Sequence, residues 1–159
     1  MTKSKTTRAT MALEKAGVAF TVHAYAYDPE ADSKGLQAAA AIGEPPRRVL
    51  KTLMAAVDGK PVCVVVPSDH EVSMKKLAAA FGGKSAQMLT PAEAERLTGY
   101  HVGGISPFGQ KRKVPVALEE AALQEDAVFV NGGQRGIQVR LAPRAARDAL
   151  GALVAPLVA

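Results

Sequence analysis

Lys51 stands inside an apolar run, Val49-Leu50-Lys51-Thr52-Leu53-Met54-Ala55-Ala56-Val57. In a strand, Val49, Lys51, Leu53, Ala55 and Val57 share one side, and Leu50, Thr52, Met54 and Ala56 the other. Both sides are then largely apolar, and an ammonium there is costly unless it reaches water or an anion. Two readings fit: a lysine snorkelling from a strand end, or one lining a cleft and holding a phosphate or a carbonyl. The loop Val102-Gly103-Gly104-Ile105-Ser106-Pro107-Phe108-Gly109 is the second candidate. Its glycines let backbone amides approach a ligand, and successive N–H groups can form an anion-binding nest. Such donors suit an ester carbonyl that gains negative charge during hydrolysis. An ordinary wide turn has the same composition.

Other chemistry fails on spacing. Gly104 to Gly109 imitates a phosphate-binding P-loop, but Gln110-Lys111 replaces the required Lys-Ser/Thr pair. Gly104-Ile105-Ser106-Pro107-Phe108 imitates a nucleophile elbow with Phe108 where glycine is needed, so Ser106 is a poor nucleophile. Cys63 lies in an apolar strand and reads as a buried, inert thiol. His23, His70 and His101 lack ligand spacing, so no metal is expected. Asp69 and Glu71 flank His70 in a turn and read as solvated. Lys111-Arg112-Lys113 and Arg135 are solvated surface or a phosphate-contacting rim. The inventory is one awkward lysine, amide-rich loops and nearby cations. It suits a binding pocket, or an enzyme whose substrate supplies its own nucleophile.

The elements that must position these residues are a mixture. Helices are expected over Thr6–Ala16, Ser33–Ile42, Met74–Phe81, Thr90–Gly99 and from Pro143 to about Leu153. The cues are Ser33 and Ser73 as N-caps, the capping box Thr90-Pro91-Ala92-Glu93, and glycine stops. Strands are expected over Ala19–Ala24, Val49–Val57, Pro61–Val66, Ser85–Met88, Lys113–Leu118, Ala127–Val130 and Ile137–Leu141. Tyr25–Asp32 reads as a polar loop and Asn131–Gly136 as a turn. Asp58-Gly59 is a strong hairpin signal between the second and third strands. Without regular βαβ alternation, the fold class is α+β: a single domain over 1–159, a mixed β-sheet with flanking helices.

Composition narrows the function. At 159 residues and 48% hydrophobic, the chain can bury one real core. Only 4% of residues are aromatic and Trp is absent, so broad stacking platforms for many bases are not expected. The net charge of +5 suits an anionic partner. A single cysteine excludes an internal disulfide framework. The N-terminus lacks the apolar stretch of a signal peptide, and the longest apolar run, Pro61 to Pro67, is far short of a membrane span. A cytoplasmic protein is the default expectation.

Four segments resemble the YbaK-type aminoacyl-tRNA deacylases, in that family's order and over nearly the whole chain. They are Phe20 to Tyr25, Val49 to Leu53, Thr98-Gly99-Tyr100-His101-Val102-Gly103-Gly104 through Lys111, and Val130-Asn131-Gly132-Gly133-Gln134-Arg135-Gly136. Family members include free-standing Cys-tRNA(Pro) and Ala-tRNA(Pro) deacylases and the editing insertion of bacterial prolyl-tRNA synthetases. The resemblance implies a fold like that editing domain, with Lys51, Gly103 and Gly104 carrying catalysis and no cofactor. It implies substrate contacts from Tyr25, Thr52, Ile105, Ser106, Pro107, Asn131, Gly132 and Gly133. Expected partners are an aminoacyl-tRNA, entering by its 3′ CCA end, and prolyl-tRNA synthetase, with Lys111, Arg112, Lys113 and Arg135 as the residues expected to contact the tRNA. Two positions depart from the pattern: Asn131 stands where Ser is common and Gln138 where Asp is common. These bear on amino-acid preference. Cysteine removal by attack of its own thiol is the expected reaction. Removal of Ala or another small residue, or a non-catalytic binding module, are the alternatives.

Overall fold

Local signals fix most elements of the computed structural model, which describes residues 6–31 and 33–159. Residues 1–5 and Asp32 lie outside the described residues, and with them the start of the N-terminal reading and the end of the Tyr25–Asp32 loop. Helix α1 (Arg8–Lys15) begins at Thr7, whose hydroxyl accepts the Thr10 N–H. Strand β1 (Thr21–Ala24) and helix α2 (Lys34–Ile42) follow, α2 capped by Ser33 and closed by Gly43 in the left-handed region. Strands β2 (Leu50–Val57) and β3 (Lys60–Pro67) form the expected hairpin. Asp58 and Gly59 both take positive φ, 48° and 80°, which gives the twist that a two-residue hairpin requires.

Helix α3 (Met74–Ala80), strand β4 (Ala86–Met88) and helix α4 (Pro91–Thr98) come next. The Thr90–Glu93 capping box forms in full. Strands β5 (Val116–Glu119), β6 (Val128–Asn131) and β7 (Ile137–Leu141), helix α5 (Pro143–Leu150) and strand β8 (Leu153–Ala155) complete the order. Most boundaries fall within two residues of expectation, and two differ by three. The fifth strand starts at Val116 rather than Lys113, just after Pro115, which has no N–H to give a ladder. The last helix stops at Leu150, because Gly151 turns left-handed at φ 61°. Leu153-Val154-Ala155 then becomes an edge strand, not the helix's last turn.

The mixed sheet is realised as two. A three-stranded antiparallel sheet runs β1-β7-β6, and a five-stranded mixed sheet runs β4-β2-β3-β5-β8. In the latter, β3-β5 and β5-β8 are parallel. One parallel bridge, Val49 to Phe129, ties the sheets. Strands β2 and β3 are buried on both faces, which explains their nearly unbroken apolar runs. Leu50, Met54, Cys63 and Val65 face the main core with α1, β6 and β7. Ala55, Val57, Val62 and Val64 face α3. Phe129 and Val49 pack under Ala38 and Ala39 of α2.

Candidate active site

A cavity of about 390 Å³ opens where the two sheets meet. The first half of β2 forms one wall, the segment from Met88 to Ala94 another, and Val102 to Ile105 a third. Asn131 and Gln138 face it from the small sheet, and Tyr25 from the end of β1. Asn131 and Gln138 are paired directly across β6 and β7, so their side chains leave the same face. The walls are mostly apolar, with Leu50, Met54, Leu89 and Ile105 among them.

Lys51 lines this cavity with four-fifths of its side chain covered, and its Nζ lies 3.9 Å from Glu71 Oε1. Glu71 is itself almost fully exposed, so the pair is a loose surface tether and leaves the ammonium free to take another anion. Thr52, on the opposite side of β2, also lines the cavity, and its Oγ1 is buried without a hydrogen-bond partner. The same is true of Gln138 Oε1, on a residue only 4% exposed. A buried polar atom left unpaired costs about 1–3 kcal/mol. Both atoms belong to residues that line the same cavity.

Tyr25 is held as a neutral phenol. Burial pushes its pKa up, opposed by hydrogen bonds from the Gln138 side chain and the Gly136 backbone. Asn131 is a brace: its Nδ2 donates to the Gly103 carbonyl at 3.0 Å, and its Oδ1 accepts the Gly133 N–H at 2.7 Å. Gly103 turns through φ 92°, and a Cβ there would sit 2.5 Å from the Tyr27 hydroxyl oxygen. Its N–H, at the cavity, has no acceptor among the described residues. Lys34, which also borders the cavity, is occupied elsewhere, donating to the carbonyls of Pro29 and Ala31 at 2.6 and 2.9 Å.

The structure therefore gathers Lys51, Thr52, Tyr25, Gly103, Ile105 and Asn131 at one cavity, and leaves other expected residues outside it. Gly104 is the main correction. Its N–H is already given to the His101 carbonyl at 2.8 Å, so it is no free donor for a developing oxyanion. It is glycine because a Cβ would meet the Arg135 nitrogen at 2.9 Å. Ser106 is fully buried, its Oγ accepting the Phe108 N–H and its carbonyl the Gln110 side chain. Pro107 lines a separate small cavity beside α1 and α5. The Gly132 N–H closes the turn onto the Ile137 carbonyl, and Gly133 packs against Tyr100 and Ala9. These residues shape the loops behind the cavity. Arg135 donates to the Val102 carbonyl and lies 5.5 Å over the Tyr27 ring, whereas Lys111, Arg112 and Lys113 border other clefts.

Gln138, which the resemblance names only as a departure bearing on amino-acid preference, is a cavity residue that the strand pattern does not assign to the site. Ile137, Val139 and Leu141 alternate into the core, which would send Gln138 outward with exposed Arg140. Only the cover from other segments buries it. Cys63 does not line the cavity, and burial pushes its thiol up to about 12. Among the described residues, no carboxylate, histidine or cysteine lines the cavity. Among the described residues it offers one cation not engaged by backbone carbonyls, one free amide and two unpaired buried oxygens, and no nucleophile or general base beyond hydroxyls.

Residues 29–149 match the aminoacyl-tRNA editing domain family. The Enterococcus faecalis protein EbsC, named as a candidate Cys-tRNA(Pro)/Cys-tRNA(Cys) deacylase, is 37% identical over 149 residues, covering 91% of this chain and 90% of its own. A proline–tRNA ligase of Geobacter metallireducens is 34% identical over 92 residues, 58% of this chain but 16% of the ligase. A crystal structure described as a candidate trans-editing enzyme for prolyl-tRNA synthetase superposes with a TM-score of 0.83. It has 25% identity and covers 100% of this chain and 99% of that one. This chain is a member of the aminoacyl-tRNA editing domain family.

Proposed function

We propose that this protein is a trans-editing deacylase that releases cysteine from mischarged tRNA(Pro) by letting the cysteine cut itself free. One observation carries the reading: a cavity with a cation, a free amide and two unpaired buried acceptors, but no protein nucleophile. In this reading the α-ammonium of the bound aminoacyl group donates to Gln138 Oε1 and Thr52 Oγ1. The substrate thiol then attacks its own ester carbonyl. A sulfur–carbon bond forms, the bond to the ribose 3′ oxygen breaks, and the thiol proton passes to that departing oxygen. The cyclic thioester left behind is hydrolysed by water.

The protein's share is orientation and charge. Holding the thiol against the carbonyl makes the attack intramolecular, an effect worth several kcal/mol on the order of known effective molarities. The Gly103 N–H and the Lys51 ammonium face the oxygen that becomes negative, and one such donor contributes about 3 kcal/mol. Size alone selects little here, since a missing or extra methylene changes binding by only about 1–3 kcal/mol. Chemistry selects instead: alanine and proline enter but carry no nucleophile. A domain this small reads few bases, so choice of tRNA(Pro) is assigned to a complex with prolyl-tRNA synthetase in the cytoplasm.

The test is a panel of tRNA(Pro) charged with Cys, Ala, Ser or Pro, incubated with substoichiometric protein. Catalytic release from Cys-tRNA(Pro) is expected. Lys51→Ala should lower it at least a hundredfold, while Cys63→Ser retains activity per folded molecule. Equal release from Ala-tRNA(Pro) overturns self-attack. No turnover with any substrate reduces the cavity to a binding site.

A further inference from the structure

The end of the molecule that carries the β2–β3 hairpin has a use of its own. Two clefts flank that hairpin, of about 620 and 510 Å³, sharing Pro61 and Arg112. Five cations line them: Lys60, Arg112 and Lys113 in the first, Arg96 and Lys111 with Arg112 in the second. All five are exposed, and none forms a salt bridge among the described residues. Two carboxylates are present, and both are engaged at the backbone. Asp58 accepts the Lys84 and Ser85 N–H groups, and Glu93 accepts from Thr90 in its capping box.

The array is held in place. The Lys111 N–H donates to the Thr98 carbonyl at 2.8 Å and the Arg112 N–H to the Leu97 carbonyl at 3.1 Å, fixing the run to the last turn of α4. Arg96 projects from that same helix. The array is also continuous with the candidate active site. Leu89 lines both the catalytic cavity and the second cleft, while Pro91 and Ala94 of α4 face the cavity and Arg96 and Leu97 the cleft. A strand whose 3′ end entered the cavity would pass over Leu89 straight onto these cations. Exposed cations outside any salt bridge, with Phe81 the one aromatic ring among the residues lining the two clefts, suit phosphates rather than a run of stacked bases.

We infer that the hairpin clefts, through Lys60, Arg96, Lys111, Arg112 and Lys113, bind the sugar–phosphate backbone of the RNA whose charged end occupies the cavity. The inference rests on the deacylase reading of that cavity and names where the rest of its substrate lies. Arg135, bound to Val102 and Tyr27, is not part of the surface.

The experiment uses the full chain and its Arg96→Gln/Lys111→Gln/Arg112→Gln variant, with a Lys15→Gln/Lys75→Gln/Arg144→Gln variant, exposed outside both clefts, as a charge-matched control. Binding of an uncharged tRNA(Pro) transcript is followed by anisotropy from 50 to 200 mM salt, and turnover of a cysteinylated CCA trinucleotide is measured separately. The triple variant should bind the transcript at least tenfold more weakly, with the slope of log affinity on log salt reduced by about two to three. The control should match the wild type. Trinucleotide turnover should change less than twofold, which also shows that the triple variant folds. Unchanged transcript binding overturns the surface, and so does an equal loss in the control. Wild-type protein that binds the transcript but never cleaves the trinucleotide overturns the deacylase reading instead and leaves the surface standing.

Discussion

Gln138 shows at the residue scale how function is written against stability. Its Oε1 is buried and unpaired in a protein that otherwise pairs its buried side-chain polar atoms, Thr52 Oγ1 being the other exception among the described residues. An apolar side chain of similar volume would remove that cost, worth about 1–3 kcal/mol, and would lose only the contact with Tyr25. Gln138→Met is therefore expected to leave the urea midpoint unchanged or raised, while kcat/KM on Cys-tRNA(Pro) falls at least tenfold. Destabilisation by more than about 1 kcal/mol, with activity per folded molecule kept, would make Gln138 a structural residue. Sequence alone made Lys51 visible, because a cation in an apolar strand contradicts its surroundings. The resemblance named Gln138 as a departure bearing on amino-acid preference, but the strand pattern could not place it at the site, because a glutamine on the outward face of a strand contradicts nothing until other segments bury it.

At the scale of elements, caps and turns were legible wherever a local hydrogen bond or a special φ decides the structure. Ser33, Ser73 and Thr90 each accept the N–H three residues on, and Asp58-Gly59 makes the hairpin. What was not legible depends on partners distant in sequence. Strand β8 exists because β5 offers it an edge, and its three residues carry no pattern that separates them from a helix end. Glu119 is the clearest case. At 3% exposure it accepts N–H groups from Ala121, Leu157 and Val158, so one buried carboxylate joins the end of β5, the turn at Glu120–Gln124 and the C-terminal segment. Hydrogen bonds to a charged group are worth about 1.5–3 kcal/mol each, though not additively. Glu119→Ala is expected to cost about 3 kcal/mol or more by urea denaturation. Glu119→Gln, which can still accept but carries no charge, should cost clearly less. Equal costs for the two variants would mean that the space, not the acceptor set, is what matters.

At the scale of the whole molecule, the cavity lies where the two sheets meet beside the core they share. Among the described residues, one β-bridge, Val49 to Phe129, joins the sheets directly, and the Asn131 amide braces the third wall through the Gly103 carbonyl. A ligand touching Lys51 and Thr52 on one sheet and Gln138 on the other adds polar contacts to both, beside the core they share. It binds the assembled cavity and not the unfolded chain, so it must stabilise the fold by mass action, by about 2.7 kcal/mol at a hundredfold excess over Kd. For a chain of this length that corresponds to a Tm rise of roughly 5–10 °C. The probe is a cysteinyl-adenosine in which an amide replaces the 3′ ester, so that it occupies the cavity without being cleaved. It should shift the wild type by that amount and leave Lys51→Ala and Gln138→Met nearly unshifted, while Cys63→Ser shifts like the wild type. The alanyl analogue should shift the wild type almost as far, because a cavity that selects by the substrate's own thiol rejects alanine at the bond-breaking step and not on entry. A cysteinyl shift far larger than the alanyl one would move selection back to binding and take the self-cleavage account with it.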